Sequence, residues 1–150
     1  MDLDEQDTWR VLFLCTHNSA RSQMAEGLLR KLGGDRFVVS SAGTVATALR
    51  PLAIRAMAEL GIDISKQESK TLDRYLGEQF DAVITVCDQA NEACPIFPGA
   101  ARRLHWWFDD PSAATGDEMA QFAVYRRVRD EIRARIAAEL LTLAGGPKSR

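Results

Sequence analysis

The run Val11-Leu12-Phe13-Leu14 is apolar at every position, and it stops abruptly at Cys15-Thr16-His17-Asn18-Ser19-Ala20-Arg21-Ser22. A strand with one wet face alternates apolar and polar residues. A strand without polar positions is covered on both faces, as in a parallel sheet packed under helices. Ala82-Val83-Ile84-Thr85-Val86-Cys87 is a second run of this kind, β-branched and suited to the middle of a sheet. Around these two runs the pattern predicts strands at 10–15, 37–40, 82–87 and 103–107. They alternate with helices at 21–31, 51–60 and 119–143 and a short helix at 71–76.

Met24, Leu28 and Leu29 share a face of the first helix, and Gly33-Gly34 ends it. Pro51 suits the first turn of the second helix and Gly61 its stop. Phe122, Val128, Ile132, Ile136 and Leu140 form the apolar stripe of the last. The alternation implies an α/β fold: a single three-layer domain with a four-stranded parallel sheet flanked by helices. The domain is placed at 9–144, with disordered tails at 1–8 and 145–150.

A chain of 150 residues is long enough for one core that needs no disulfide. Its net charge of -2 gives no reason to expect nucleic acid or an anionic membrane. No apolar run approaches the roughly 20 residues of a membrane helix. The acidic start, Met1 to Asp7, lacks the basic and then apolar character of a secretory signal. The expected setting is the cytoplasm. There, three cysteines are more often catalytic, redox-active or metal-binding than structural.

Cys15 stands at a strand end and Arg21 at a helix start. Backbone N–H groups of the intervening loop can turn inward and, with the helix N-terminus, favour an anion. Thr16, His17, Asn18, Ser19, Ala20, Arg21 and Ser22 are the candidate oxyanion loop. Arg21 can grip two oxygens at once, and the same field favours the nucleophilic thiolate of Cys15. Ser22 can donate to that thiolate, and Asn18 can hold the loop's shape. The bland alternative is an inert buried cysteine followed by a surface arginine.

In parallel sheets ligands bind beyond the carboxyl ends of the strands, where both Cys15 and Cys87 fall. Six mostly small or polar residues separate Cys87 from Cys94. Closing so short a loop costs little chain entropy, and a disulfide is feasible once the two Cα atoms come within roughly 7 Å. Cys87 could instead fill the end of a core strand, with Cys94 a chance loop thiol. A zinc site is the weakest option, because no Cys-x2-Cys pair exists and only His17 and His105 could assist.

Cys15 to Arg21, continued by Ser22-Gln23-Met24-Ala25-Glu26, closely resembles the loop of low-molecular-weight protein tyrosine phosphatases and of the arsenate reductases built on that fold. Ser40-Ser41-Ala42-Gly43 is similar to the segment after the family's second strand, and Asp109-Asp110-Pro111 to its acid-bearing loop. The resemblance implies Cys15 as nucleophile, Arg21 as oxyanion clamp and Asp110 as general acid. A carboxyl beside the anion can protonate the departing oxygen, and Pro111 restricts Asp110 to extended backbone. Taken alone, Asp-Pro is a common solvated turn.

The Cys87/Cys94 spacing with Pro95, and the stretch from His105 to Pro111, resemble the thioredoxin-coupled reductases. Phosphatases of this fold follow Asp-Pro with aromatic residues; here Ser112-Ala113-Ala114 follows. The resemblance therefore implies arsenate reduction, arsenical resistance and a relay. Cys15 attacks arsenate, Cys87 attacks Cys15, and Cys94 attacks Cys87 to leave a Cys87–Cys94 redox disulfide for thioredoxin. Phosphate or sulfate would act as arsenate mimics. No cofactor, no metal, no nucleic acid, no membrane and a monomeric state are expected. The rival readings are a phosphatase acting on phosphotyrosine or an aryl phosphate, and a non-catalytic oxyanion-binding or redox-sensing module. Some reductases of this branch bind potassium at positions matching Asn18, Glu26, Ser41 and an acidic residue. Lys70 stands at that last position, so no potassium requirement is expected.

Overall fold

The computed structural model describes residues 8–88 and 95–143. Cys94 and both expected tails, apart from Thr8, lie outside the described residues. Four strands, β1 (Trp9–Cys15), β2 (Phe37–Gly43), β3 (Phe80–Thr85) and β4 (Ala100–His105), form one sheet. Its order is β2-β1-β3-β4 and every pairing is parallel. The helices are α1 (Arg21–Gly33), α2 (Pro51–Ala58) and α3 (Glu118–Arg135), with a π-helical turn over Ile136–Leu140. This is the α/β architecture that the two apolar runs imply. No described helix is long and apolar enough to cross a membrane.

The continuous apolar runs are buried on both sides of the sheet. Val11, Phe13, Ala82 and Ile84 pack with Met24, Leu28, Met57, Val128 and Ile132 of the three helices. Leu12, Leu14 and Val83 point to the other face, where Phe97 and the short 3-10 segment Leu72–Tyr75 cover them. That second layer is thin, so the 95–99 segment carries much of its packing.

Several boundaries differ from the sequence reading. β2 runs to Gly43 rather than Ser40, because pairing with β1 continues to Cys15↔Gly43. β3 ends at Thr85, so Cys87 lies two residues beyond the strand instead of closing it. The ladder's backbone bonds nevertheless continue past it: Trp106 N donates to Thr85 O (2.8 Å) and Phe108 N to Cys87 O (2.9 Å). β4 begins and ends earlier than predicted. α3 stops at Arg135, where its apolar stripe passes into the π-helical turn carrying buried Ile136 and Leu140.

Candidate active site

Register places the carboxyl ends of the strands side by side. Cys15 is opposite Gly43, Leu14 opposite Thr85, and Thr85 opposite His105. Between Cys15 and α1 the chain must turn inside a few residues. Asn18 takes a left-handed backbone (φ 53°), tolerated by its short polar side chain. Gly43 is required by the same loop. A Cβ there would meet Thr16 O at 2.6 Å, Asn18 N at 2.9 Å and Cys15 O at 3.0 Å.

The buried Cys15 thiol is free and lies in a ring of donors. Ser22 Oγ is 2.8 Å from Cys15 Sγ, and Asn18 N donates to it at 3.2 Å. Arg21, 3% exposed, reaches across to the acid-bearing loop. Its Nη1 donates to Phe108 O at 3.4 Å, and its Nη2 lies 3.7 Å from Asp110 Oδ2. Asp110 is 27% exposed, and its Oδ1 accepts from Ser112 N at 2.9 Å, which fixes the carboxyl's direction. Asp109 turns outward and pairs with Arg127 at 2.8 Å. The geometry thus separates the two adjacent carboxylates and puts Asp110 at the anion loop.

The other loop residues hold the frame. Thr16 O accepts from Thr44 Oγ1 and Val45 N, both at 3.0 Å, and Ser19 O accepts from Arg50 N at 3.0 Å. His17 exposes its side chain, while its carbonyl accepts from Ser69 Oγ at 3.2 Å. Ala20 O receives the first bond of α1 from Met24 N.

Behind the loop lies a buried polar cluster. Asn18 Nδ2 donates to Ser22 Oγ (2.8 Å) and Ser41 Oγ (2.9 Å), and Ser41 donates to Glu26 Oε1 (2.5 Å). Glu26 Oε2 accepts from Arg30 at 2.7 Å. Lys70 is buried, donates its ammonium to Glu68 O, and sits 3.9 Å from Glu26 Oε1. Burial pushes its pKa below the ordinary lysine range, with Glu26 opposing that shift. The ammonium therefore lies among the groups to which the sequence reading assigned a cation. Gln23 and Gln67, which sequence reasoning did not single out, complete the cluster. Gln23 Nε2 donates to Asn18 Oδ1 (2.9 Å), and Gln67 Nε2 to Gln23 Oε1 (2.8 Å). No sequence signal marks a glutamine whose partner is 44 residues away.

Cys87 is fully buried and disulfide-bonded. Trp106 is buried between Phe13 and Phe108, whereas Trp107 is half-exposed and stacked on His105. Among the described residues no three His, Cys, Asp or Glu side chains gather as a metal site.

Cys15, Arg21 and Asp110 thus meet at the carboxyl edge of a β2-β1-β3-β4 parallel sheet. Residues 10–144 match the low molecular weight phosphotyrosine protein phosphatase family. The chain belongs to that family. It is similar to an arsenate reductase of Halalkalibacterium halodurans, 51% identical over 126 residues that cover 84% of this chain and 91% of that protein. The structure described as an arsenate reductase in the phosphate binding state superposes with a TM-score of 0.77. The two are 30% identical, covering 94% of this chain and all of that one. A Corynebacterium glutamicum thioredoxin-dependent arsenate reductase has a TM-score of 0.62 at 29% identity, covering 90% of this chain and 63% of that one.

Proposed function

We propose that this chain reduces arsenate to arsenite by a three-thiol relay regenerated by a thioredoxin-class dithiol. Arsenate reduction itself follows from membership of the family together with relatives named arsenate reductase at about half identity over most of the chain. The observation that carries the mechanism is the Cys15 thiol, which lies within reach of Ser22 Oγ and Asn18 N and has Arg21 and Asp110 at its mouth.

In the first step the Cys15 thiolate attacks arsenic. An As–O bond breaks as Asp110 passes its proton to the departing oxygen, which leaves as water. Arg21 and the loop N–H groups hold the remaining oxygens. Cys87 then attacks Cys15 Sγ. The S–As bond breaks toward arsenic, which takes two electrons and leaves as arsenite, and a Cys15–Cys87 disulfide remains. Cys94 displaces Cys15 from Cys87, and the dithiol partner reduces Cys87–Cys94 by thiol–disulfide exchange. Support for the exit half comes from Cys87, which is disulfide-bonded while Cys15 is free. A neighbouring fold described as thioredoxin-dependent supports the choice of donor. The protein works as a monomer in the cytoplasm, where reduced thioredoxin is present.

The test is arsenate-dependent NADPH consumption with thioredoxin and thioredoxin reductase. Cys87→Ser and Cys94→Ser are expected to abolish multiple turnover, and wild-type rates in both would refute the relay. Asp110→Asn is expected to slow the first step about 100-fold or more, with Asp109→Asn near wild type. Equal losses at the two positions would remove Asp110 from its role. Hydrolysis of an aryl phosphate without arsenate-dependent consumption would favour the phosphatase reading.

A further inference from the structure

Beyond the end of β3, the ladder bonds continue from Thr85 to Cys87 and carry the chain along the sheet face already lined by Val83. A cavity of about 150 Å³ opens on this face, lined by Val83, Thr85, Pro95, Ile96, Phe97 and His105. At its rim Ile96 is 79% exposed. Beside it Trp107 is 46% exposed, with its ring stacked on His105 at 5.9 Å between centroids and 10° between planes. His105 is fixed in turn by Thr85, whose Oγ1 lies 2.5 Å from Nδ1. Arg103 is exposed on the same side of β4 and ties down the segment below Ile96 by donating to Phe97 O (2.8 Å) and Pro98 O (3.1 Å).

Two large apolar side chains held exposed on a fixed frame cost free energy in water unless something covers them. The fixed positive charge of the patch is Arg103, so the complementary occupant is apolar at its centre and carboxylate-bearing at its rim. Chemistry supplies the remaining constraint. Cys87 itself is fully buried, so reduction of its disulfide needs a partner that seats against the chain around it, and the face carrying Val83 and Thr85 is continuous with Cys87.

We propose that the Ile96–Trp107–His105 face, with Arg103 at its edge, is the docking surface for the protein dithiol that reduces this chain. The inference rests on the thiol relay proposed above. In the docked complex one partner thiolate attacks a sulfur of the disulfide, forming a mixed disulfide and releasing one thiol of this chain. The partner's second thiol displaces the mixed disulfide. Two electrons and two protons pass to this chain, and the partner leaves oxidised. Trp107 and Ile96 act by seating the partner and not by touching arsenate, so they determine the choice of reductant rather than of oxyanion.

The experiment compares thioredoxin with dithiothreitol as reductant for wild type, Ile96→Glu, Trp107→Ala and Met119→Glu. Met119 is 82% exposed at the start of α3 and serves as a control for adding charge at an exposed apolar site. Ile96→Glu and Trp107→Ala are expected to raise the KM for thioredoxin about tenfold, the loss typical of an exposed anchor. Their turnover with dithiothreitol should equal wild type, and Met119→Glu should match wild type with both. Unchanged KM values for thioredoxin in both patch variants would overturn the docking surface while leaving the relay standing. A parallel loss with dithiothreitol would also overturn it, by showing damage to the site itself. If wild type reduces no arsenate with either donor, the relay and the docking surface fall together. If sedimentation shows a wild-type dimer that Ile96→Glu dissociates, the patch belongs to a second copy of this chain and the proposal fails.

Discussion

The hydroxyl of Ser22 has one hydrogen, and its neighbours decide where that hydrogen points. The backbone N–H of Lys70 can only donate, so the Asn18 atom that faces it at 2.8 Å is Oδ1. Asn18 Nδ2 therefore faces Ser22 and donates to its oxygen. Ser22 is left free to donate toward Cys15 Sγ and stabilise the thiolate. Ser22→Ala removes that donor without adding bulk. At pH 7 the alkylation of Cys15 by iodoacetamide is expected to slow about tenfold, an effect of the size of one charge-assisted hydrogen bond. An unchanged alkylation rate would assign Ser22 to packing alone. Cys15, Arg21 and Asp110 could be proposed from the sequence because each residue type has its own chemistry and the spacing tied two of them to one turn. The Gln23–Gln67 layer behind them was not. A glutamine carries no periodic or charge signal, and its partner arrives only when the chain has folded. Lys70 was legible only through the family resemblance, since a lone lysine otherwise reads as surface.

At the scale of elements, the strands were found from their apolar runs, but their ends were not. Ser40-Ser41-Ala42-Gly43 has little β-propensity of its own. It is strand because β1 runs alongside it as far as Cys15, and the context overrides the local preference. The helix layer shows another device that sequence does not announce. Glu59, at the end of α2, accepts from Arg126 Nε at 2.9 Å and from the largely buried Arg129 at 2.8 Å; Arg129 also donates to Ala56 O at 2.8 Å. These bonds to α3, from Arg126 first and then Arg129, hold the Glu59 carboxyl down at about 2, against an ordinary 4.5. Because the folded value is the lower one, the clamp's contribution is complete above the unfolded value and is lost as pH falls through the folded one. Glu59→Gln is therefore expected to lower the Tm at pH 7 by about 2–4 °C, an effect that added salt weakens. The gap to wild type should close between about pH 4.5 and 2. A gap that stayed constant down to pH 2 would show that the arginines pack against Glu59 without using its charge.

For the whole molecule, the loop, Asp110 and the buried cluster belong to different elements, and an anion bound in the loop is expected to tie them together. Arg21 opens α1, Asp110 precedes the 3-10 turn Pro111–Ala113, and Lys70 lies between α2 and β3. A ligand that binds only the folded chain stabilises it by about 2.7 kcal/mol at 100 times its Kd, which for a domain of this size is roughly 5–10 °C in Tm. Inorganic phosphate, an arsenate mimic, is expected to raise the Tm by this amount in wild type. In Arg21→Met most of the rise should vanish, because the guanidinium proposed to grip two oxygens is gone. The choice of counterion then tests Lys70. Its ammonium bonds Glu68 O and faces Glu26, so a monovalent cation would have to displace a positive charge held within the protein. Sodium and potassium phosphate at equal ionic strength should therefore give the same Tm to within about 1 °C. A larger rise with potassium would mean that Lys70 leaves the cluster and a metal ion enters it. In that case Lys70→Ala should strengthen the potassium effect, whereas an ammonium that stays in place predicts a potassium effect only in the variant.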